Sequence, residues 1–230
     1  MADLVFLPGF MCDQDLWTDM VPDLEPLGPL HYGNVYEDDT LEGMARRVLA
    51  GVPERFVLIG FSMGGFVARV LSLMAPERVS AVAFIASSAR GYSDEETARR
   101  KAGYRPGDRP PRAAGAVTTA MGLHPDREKD PVLLDRLRGM QRRLGPEVRK
   151  RQAALVRRDG YADLKRIACP ALVVACRQDR LRTLAETERM ATQLPHSHFE
   201  VIEDCGHMAP LERPRELAAL IEGWIRREGL

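Results

Sequence analysis

The stretch FVLIGFSMGGFVARVLSLM, residues 56–74, changes its periodicity part-way along. Phe56 to Gly60 is an uninterrupted apolar run of strand length, which suits a strand covered on both faces. From Met63 to Met74 the apolar residues Phe66, Val67, Val70, Leu71 and Met74 share one helical face, and Pro76 ends the pattern. The change falls at Ser62, inside Gly60-Phe61-Ser62-Met63-Gly64. A G-x-S-x-G run between a strand and a helix makes a sharp turn that exposes the serine hydroxyl at the sheet edge, and the glycines let the backbone approach closely. A plain N-cap uses a serine hydroxyl but does not need two glycines, so Ser62 is expected to be a nucleophile. Val79 to Ala86 supplies the next buried strand and completes a βαβ unit.

Outward from this unit the same alternation continues. Leu4 to Leu7 is a short apolar run stopped by Pro8 and Gly9, a weaker strand passes through Leu30 to Tyr32, and Thr40 to Leu49 has helical spacing. Further along, Ala171 to Cys176 and Phe199 to Ile202 read as strands, Glu186 to Leu194 as a helix, and Leu217, Leu220, Ile221 and Trp224 as the apolar face of a last helix. Between Gly91 and Ala168 the strand pattern disappears. GYRPGDRPP at 103–111 reads as a connector; Leu133, Leu137, Met140 and Leu144 recur at helical spacing, and Leu144 to Val156 either continues that helix or restarts it after Pro146. The expected architecture is α/β: a mostly parallel sheet with helices on both faces from residues 1–89 and 168–230, and a helical cap inserted at 90–167 across its carboxyl end.

A chain of 230 residues, 45% hydrophobic and 29% charged, fits one ordinary globular core. Thirty-three basic residues balance thirty-three acidic ones, which removes any overall electrostatic case for a nucleic-acid partner. The balance is uneven: residues 90–166 hold 20 basic and 11 acidic side chains, so this segment is cationic and the remainder anionic. Cys12, Cys169, Cys176 and Cys205 lack the clustered spacing of a zinc site and are too sparse for a disulfide framework. No apolar run reaches membrane-spanning length, and MADLVFLPG lacks the charged start of a secretory signal. The expectation is a cytoplasmic protein with no metal and no membrane insertion.

Serine is a weak nucleophile until a base takes its proton. Of His31, His124, His196, His198 and His207, the last follows a short strand in Cys205-Gly206-His207 and is the preferred base. Asp179, in the loop after the strand ALVVAC, is the preferred acid to orient it, with Asp204 as the competitor. The order Ser62, Asp179, His207 is that of an α/β-hydrolase triad.

Through LPGF, GFSMGG, the Asp179 loop and CGH, the chain resembles the α/β-hydrolase family, in particular its small capped carboxylesterase-like members. The resemblance implies an oxyanion hole from the backbone N–H groups of Phe10 and Met63, although many relatives have histidine-glycine where this chain has Pro8-Gly9. It also implies that the first two strands of many relatives are shortened or missing, leaving about six. The expected reaction is hydrolysis of a small or medium carboxylic ester, a small-molecule carbonyl substrate, through an acyl-serine, which needs no cofactor.

Three alternatives stand beside it: a carrier-bound methyl-ester hydrolase, a carbon-carbon bond hydrolase, and a noncatalytic binding protein of the same fold. Arg136, Arg138, Arg142, Arg143, Arg149, Lys150 and Arg151 form a row that suits an acidic acyl-carrier protein, and a solvated helix face explains the same row. Oligomeric state is open.

Overall fold

The strands at the centre of the sheet are buried almost along their whole length because both of their faces are covered. In a computed structural model of the chain, which describes residues 2–96, 98 and 120–230, six strands form one sheet. They are β1 (Leu4–Leu7), β2 (Leu30–Tyr32), β3 (Phe56–Phe61), β4 (Val79–Ile85), β5 (Ala171–Cys176) and β6 (Ser197–Ile202). The order is β2-β1-β3-β4-β5-β6 and every neighbouring pair is parallel. Strand parity divides the side chains between two apolar layers. Leu4, Phe6, Ile59 and Val174 pack with Leu16, Trp17 and the helix α5 (Pro214–Glu228) on one face. Val5, Leu7, Leu58 and Phe84 pack with α1 (Leu41–Ala50), α2 (Met63–Met74) and α4 (Leu184–Gln193) on the other.

The chain leaves β1 toward β2 in one direction and returns to place β3 on the opposite side of β1. Loops leaving β1 and β3 therefore diverge at their carboxyl ends and open a crevice between them, the place where open α/β sheets bind ligands. Pro8 to Cys12 and Ser62 lie at that switch point.

Between β4 and β5 comes the cap helix α3 (Pro131–Ala154), whose N-cap Asp130 accepts from the Val132 and Leu133 N–H groups. Its course is broken at Gly145, with φ 74° and ψ −179°. That conformation favours glycine, and Pro146 with its fixed φ then starts the second segment. The helix thus restarts at Pro146. Leu137 and Met140 are buried in the same layer as Leu16 and Trp17, so packing between cap and core accounts for them.

Differences from the sequence reading are local. β6 begins at Ser197, two residues early, because its residues are only half-buried until Ile202 and give little periodic contrast. α4 begins at Leu184 because the Thr183 side chain accepts the Glu186 N–H. Gln14–Met20 is a 3-10 helix capped by Asp13. The connector at 103–111 lies outside the described residues.

Candidate active site

At the end of β3 the backbone of Ser62 adopts φ 49° and ψ −110°, a strained conformation for a residue with a side chain. The neighbours show why glycine is needed on either side. A Cβ on Gly64 would lie 2.1 Å from the Leu7 carbonyl oxygen, and one on Gly60 would lie 2.8 Å from the Gly64 carbonyl oxygen. Two further bonds hold the elbow: the Ser62 N–H donates to the Ile85 carbonyl at 2.9 Å, and Ser87 Oγ donates to the Ser62 carbonyl at 2.9 Å. Ser62 stands at the N-cap position of α2, yet its hydroxyl makes no capping bond.

That hydroxyl faces His207 instead. Ser62 Oγ lies 2.8 Å from His207 Nε2, and His207 Nδ1 lies 2.7 Å from Asp179 Oδ2. The second Asp179 oxygen accepts the N–H groups of Leu181 at 2.7 Å and Arg182 at 2.9 Å. With both oxygens engaged and the side chain fully buried, the carboxylate orients the ring so that Nδ1–H donates to it and Nε2 accepts from the serine. The Phe61 ring packs 5.1 Å from the imidazole.

Asp204, the competing acid, turns elsewhere: it contacts Arg127, Arg213 and His124 Nε2. The other histidines are likewise occupied or remote, His31 beside Asp3 at 2.7 Å and His198 beside Glu228 at 2.9 Å. The loop carrying His207 is fixed to the start of the cap. The Met208 N–H donates to the Gly122 carbonyl, the His124 N–H donates to Glu212 Oε2 at 2.8 Å, and Arg127 Nε donates to the same carboxylate at 3.0 Å. Gly206 is obligatory here, since a Cβ would come within 2.3 Å of the His124 nitrogen.

On the β1 side, the Cys12 N–H donates to the Gly9 carbonyl at 3.1 Å and closes a four-residue turn, Gly9 to Cys12. Met11, its third residue, has φ 55°. A Cβ on Gly9 would meet the Phe61 ring at 2.8 Å and Ser62 Cβ at 3.4 Å, so the turn lies directly against the elbow. Among the described residues no acceptor is found for the N–H of Phe10 or of Met63. Phe10's side chain is exposed, under the Arg149 guanidinium at 5.7 Å.

Burial, with a smaller contribution from Asp13, pushes the Cys12 thiol up to about 12. Cys176 is held well above the ordinary thiol range, first by its hydrogen bond with Cys205 and then by burial. A thiol so far from ionising is a poor nucleophile at neutral pH.

A family model described as the alpha/beta hydrolase family matches residues 4–220. The chain belongs to this family. Along 97% of this chain it is 28% identical to a pimeloyl-[acyl-carrier protein] methyl ester esterase of Aromatoleum aromaticum, covering 98% of that protein. A protein of the same description from Edwardsiella ictaluri is 39% identical over 94 residues, 37% of this chain and 36% of the other. Among solved structures, a thermophilic esterase from Thermogutta terrifontis superposes with a TM-score of 0.86 at 26% identity, covering 99% of this chain and 90% of its own. Among the described residues no helix is long and apolar enough to cross a membrane.

Sequence reasoning did not find Gln152, Glu212, Arg127 or Ser87, all of which contact the loops of the site. None belongs to a spaced motif, and Gln152 directly follows the basic row.

Proposed function

We propose that this member of the alpha/beta hydrolase family is a serine-dependent carboxylic ester hydrolase. The observation that carries the reading is the chain of contacts from Ser62 Oγ to His207 Nε2 at 2.8 Å and from His207 Nδ1 to Asp179 Oδ2 at 2.7 Å, mounted on a strained elbow. Ser62 attacks the ester carbonyl carbon while His207 takes its proton, and Asp179 stabilises the resulting imidazolium. The N–H groups of Phe10 and Met63 receive the negative oxygen, each donor contributing on the order of a few kcal/mol. Collapse expels the alcohol, which takes the proton from His207; water, deprotonated by His207, then cleaves the acyl-serine and restores Ser62. In this reading residues 1–89 and 168–230 are the hydrolase core and 90–167 the cap.

For the substrate, the carrier-bound methyl ester is better supported than a free small ester. The relatives in Aromatoleum aromaticum and Edwardsiella ictaluri are methyl ester esterases of an acyl-carrier protein conjugate, and the cap retains an outward cationic surface. That surface is smaller than the basic row suggested. Arg136 pairs with Asp15 and Asp19, and Arg143 with Asp13 and Asp15, leaving Arg138 and Lys150 exposed; Arg142 is also exposed and lies 3.7 Å from Asp135.

The test compares wild type and Ser62→Ala on a pimeloyl methyl ester attached to acyl-carrier protein and on free dimethyl pimelate. Methanol release lost in Ser62→Ala, with a much higher kcat/KM for the carrier ester, is expected. Equal kcat/KM for the two esters returns the reading to a general small-ester hydrolase, and full activity in Ser62→Ala rejects serine catalysis.

A further inference from the structure

The cap reaches into the turn between β1 and the site through a buried side chain. Gln152, on the second segment of α3, is 1% exposed. Its Oε1 accepts the Met11 N–H at 2.8 Å, and its Nε2 donates to the Val35 carbonyl at 3.2 Å. Both ends of the amide are thus matched to backbone groups of opposite character.

The turn it holds is an unfavourable one. Cys12 closes it onto Gly9, and Met11 has a positive φ while Phe10 does not, which is the type II form that ordinarily places glycine third. A methionine there is better suited to type I, and the two forms interconvert by rotation of the Phe10–Met11 peptide. That rotation would take the Met11 N–H away from Gln152 and leave it buried without an acceptor. On its other side the turn rests against Phe61 and Ser62 through Gly9. Gln152 therefore holds the turn at Met11 and the elbow packs against it at Gly9, the two residues that flank Phe10.

We propose that Gln152 is a positioning residue for the oxyanion-binding turn: the cap amide holds the Phe10–Met11 peptide in its type II orientation and so keeps the turn, and the Phe10 N–H it carries, seated against the elbow where the negative oxygen develops. The proposal rests on the ester-hydrolase reading of the site. It makes the cap a working part of the catalytic centre, apart from any role in admitting substrate.

The test uses Gln152→Met, which keeps volume and removes both hydrogen bonds, and Gln152→Glu, which keeps an acceptor for Met11. Hydrolysis of p-nitrophenyl butyrate and inhibition by phenylboronic acid, which forms a tetrahedral adduct on the serine, are measured with thermal unfolding. Gln152→Met is expected to lower kcat about 10- to 100-fold with KM within about two-fold, and to weaken boronate inhibition by a similar factor. Gln152→Glu is expected to recover most of that loss. A kcat for Gln152→Met within two-fold of wild type overturns the proposal, as does a lowered melting temperature with unchanged boronate affinity. If Gln152→Met does not fold, Gln152→Glu decides alone: near wild-type kcat and boronate affinity support the clamp, and a ten-fold loss in either rejects it. Ser62→Ala, run alongside, separates the two failures. Activity retained there removes the ester-hydrolase reading and the proposal together, whereas activity lost there with unchanged Gln152→Met removes only the proposal.

Discussion

Ser62 holds a conformation that costs on the order of 1–3 kcal/mol for a residue with a side chain, and its hydroxyl contacts His207 rather than capping the helix behind it. The strained turn, held by the bonds to Ile85 and Ser87, presents that oxygen to the histidine. Asp179 is the next link. Asp179→Asn leaves a hydrogen-bonding group in place but offers His207 an amide, which favours the wrong imidazole tautomer. Activity is expected to fall on the order of 10⁴-fold in kcat with little change in KM, checked by steady-state ester hydrolysis. A loss under ten-fold would contradict the orienting role.

The cysteines give a pH-dependent expectation. Because burial raises Cys12 to about 12 and half-buried Cys169 to about 11, both are thiols at pH 8, and their thiolate fractions grow only as pH climbs toward those values. Iodoacetamide at pH 8 is therefore expected to leave the native enzyme active, with alkylation followed by mass spectrometry accelerating as pH rises. A Cys12 rate already level below pH 8 would show an ionised thiol. The grouping of Ser62, Asp179 and His207 was legible in the sequence because each lies in a turn or loop following a strand, where residue type and order carry information. Gln152 was not, because its significance lies in two backbone groups, at Met11 and Val35, brought to it by the fold.

At the scale of elements, the βαβ unit from β3 to β4 was readable because its periodicity switches abruptly and both strands are buried. The 3-10 form of Gln14–Met20 and the early start of β6 were not, since a short 3-10 run has no 3.6-residue face and a half-buried strand lacks contrast. The break in α3 was left open by the sequence, because Pro146 alone permits either a kink or a fresh start; the positive φ of Gly145 decides it. The packing of α2 on β1 leaves no room for a side chain at Gly64. Gly64→Ala would place a methyl 2.1 Å from the Leu7 carbonyl, a backbone atom that cannot rotate away. A loss of about 3 kcal/mol or more in stability is expected, measured by urea unfolding, together with loss of activity as the elbow shifts from the Pro8–Gly9 turn. Wild-type stability would mean that α2 is free to move relative to β1.

For the whole molecule, the charge asymmetry seen in the sequence is partly internal. Asp13, Asp15 and Asp19 follow the β1 turn, and Arg136 and Arg143 on the cap answer them. Some of the cap's excess positive charge is thus spent holding cap to core, a pairing that no linear count of charges reveals. The remaining outward cations make the carrier reading testable without touching the triad. Charge reversal at Arg138 and Lys150 is expected to raise KM for a carrier-bound ester about ten-fold at low salt, to leave p-nitrophenyl butyrate hydrolysis unchanged, and to lose its effect as ionic strength rises. Equal effects on both substrates would place the damage in the fold rather than in docking.

The central claim is that chemistry proceeds through an acyl group on Ser62. Acid-quenching a reaction with p-nitrophenyl butyrate in its first turnovers, then measuring the intact protein mass and mapping the modified peptide, tests it most directly. The account predicts one butyryl group, located on Ser62, present in the wild type and absent from Ser62→Ala. An acyl group carried on another residue, or steady hydrolysis by Ser62→Ala at the wild-type rate, would contradict it.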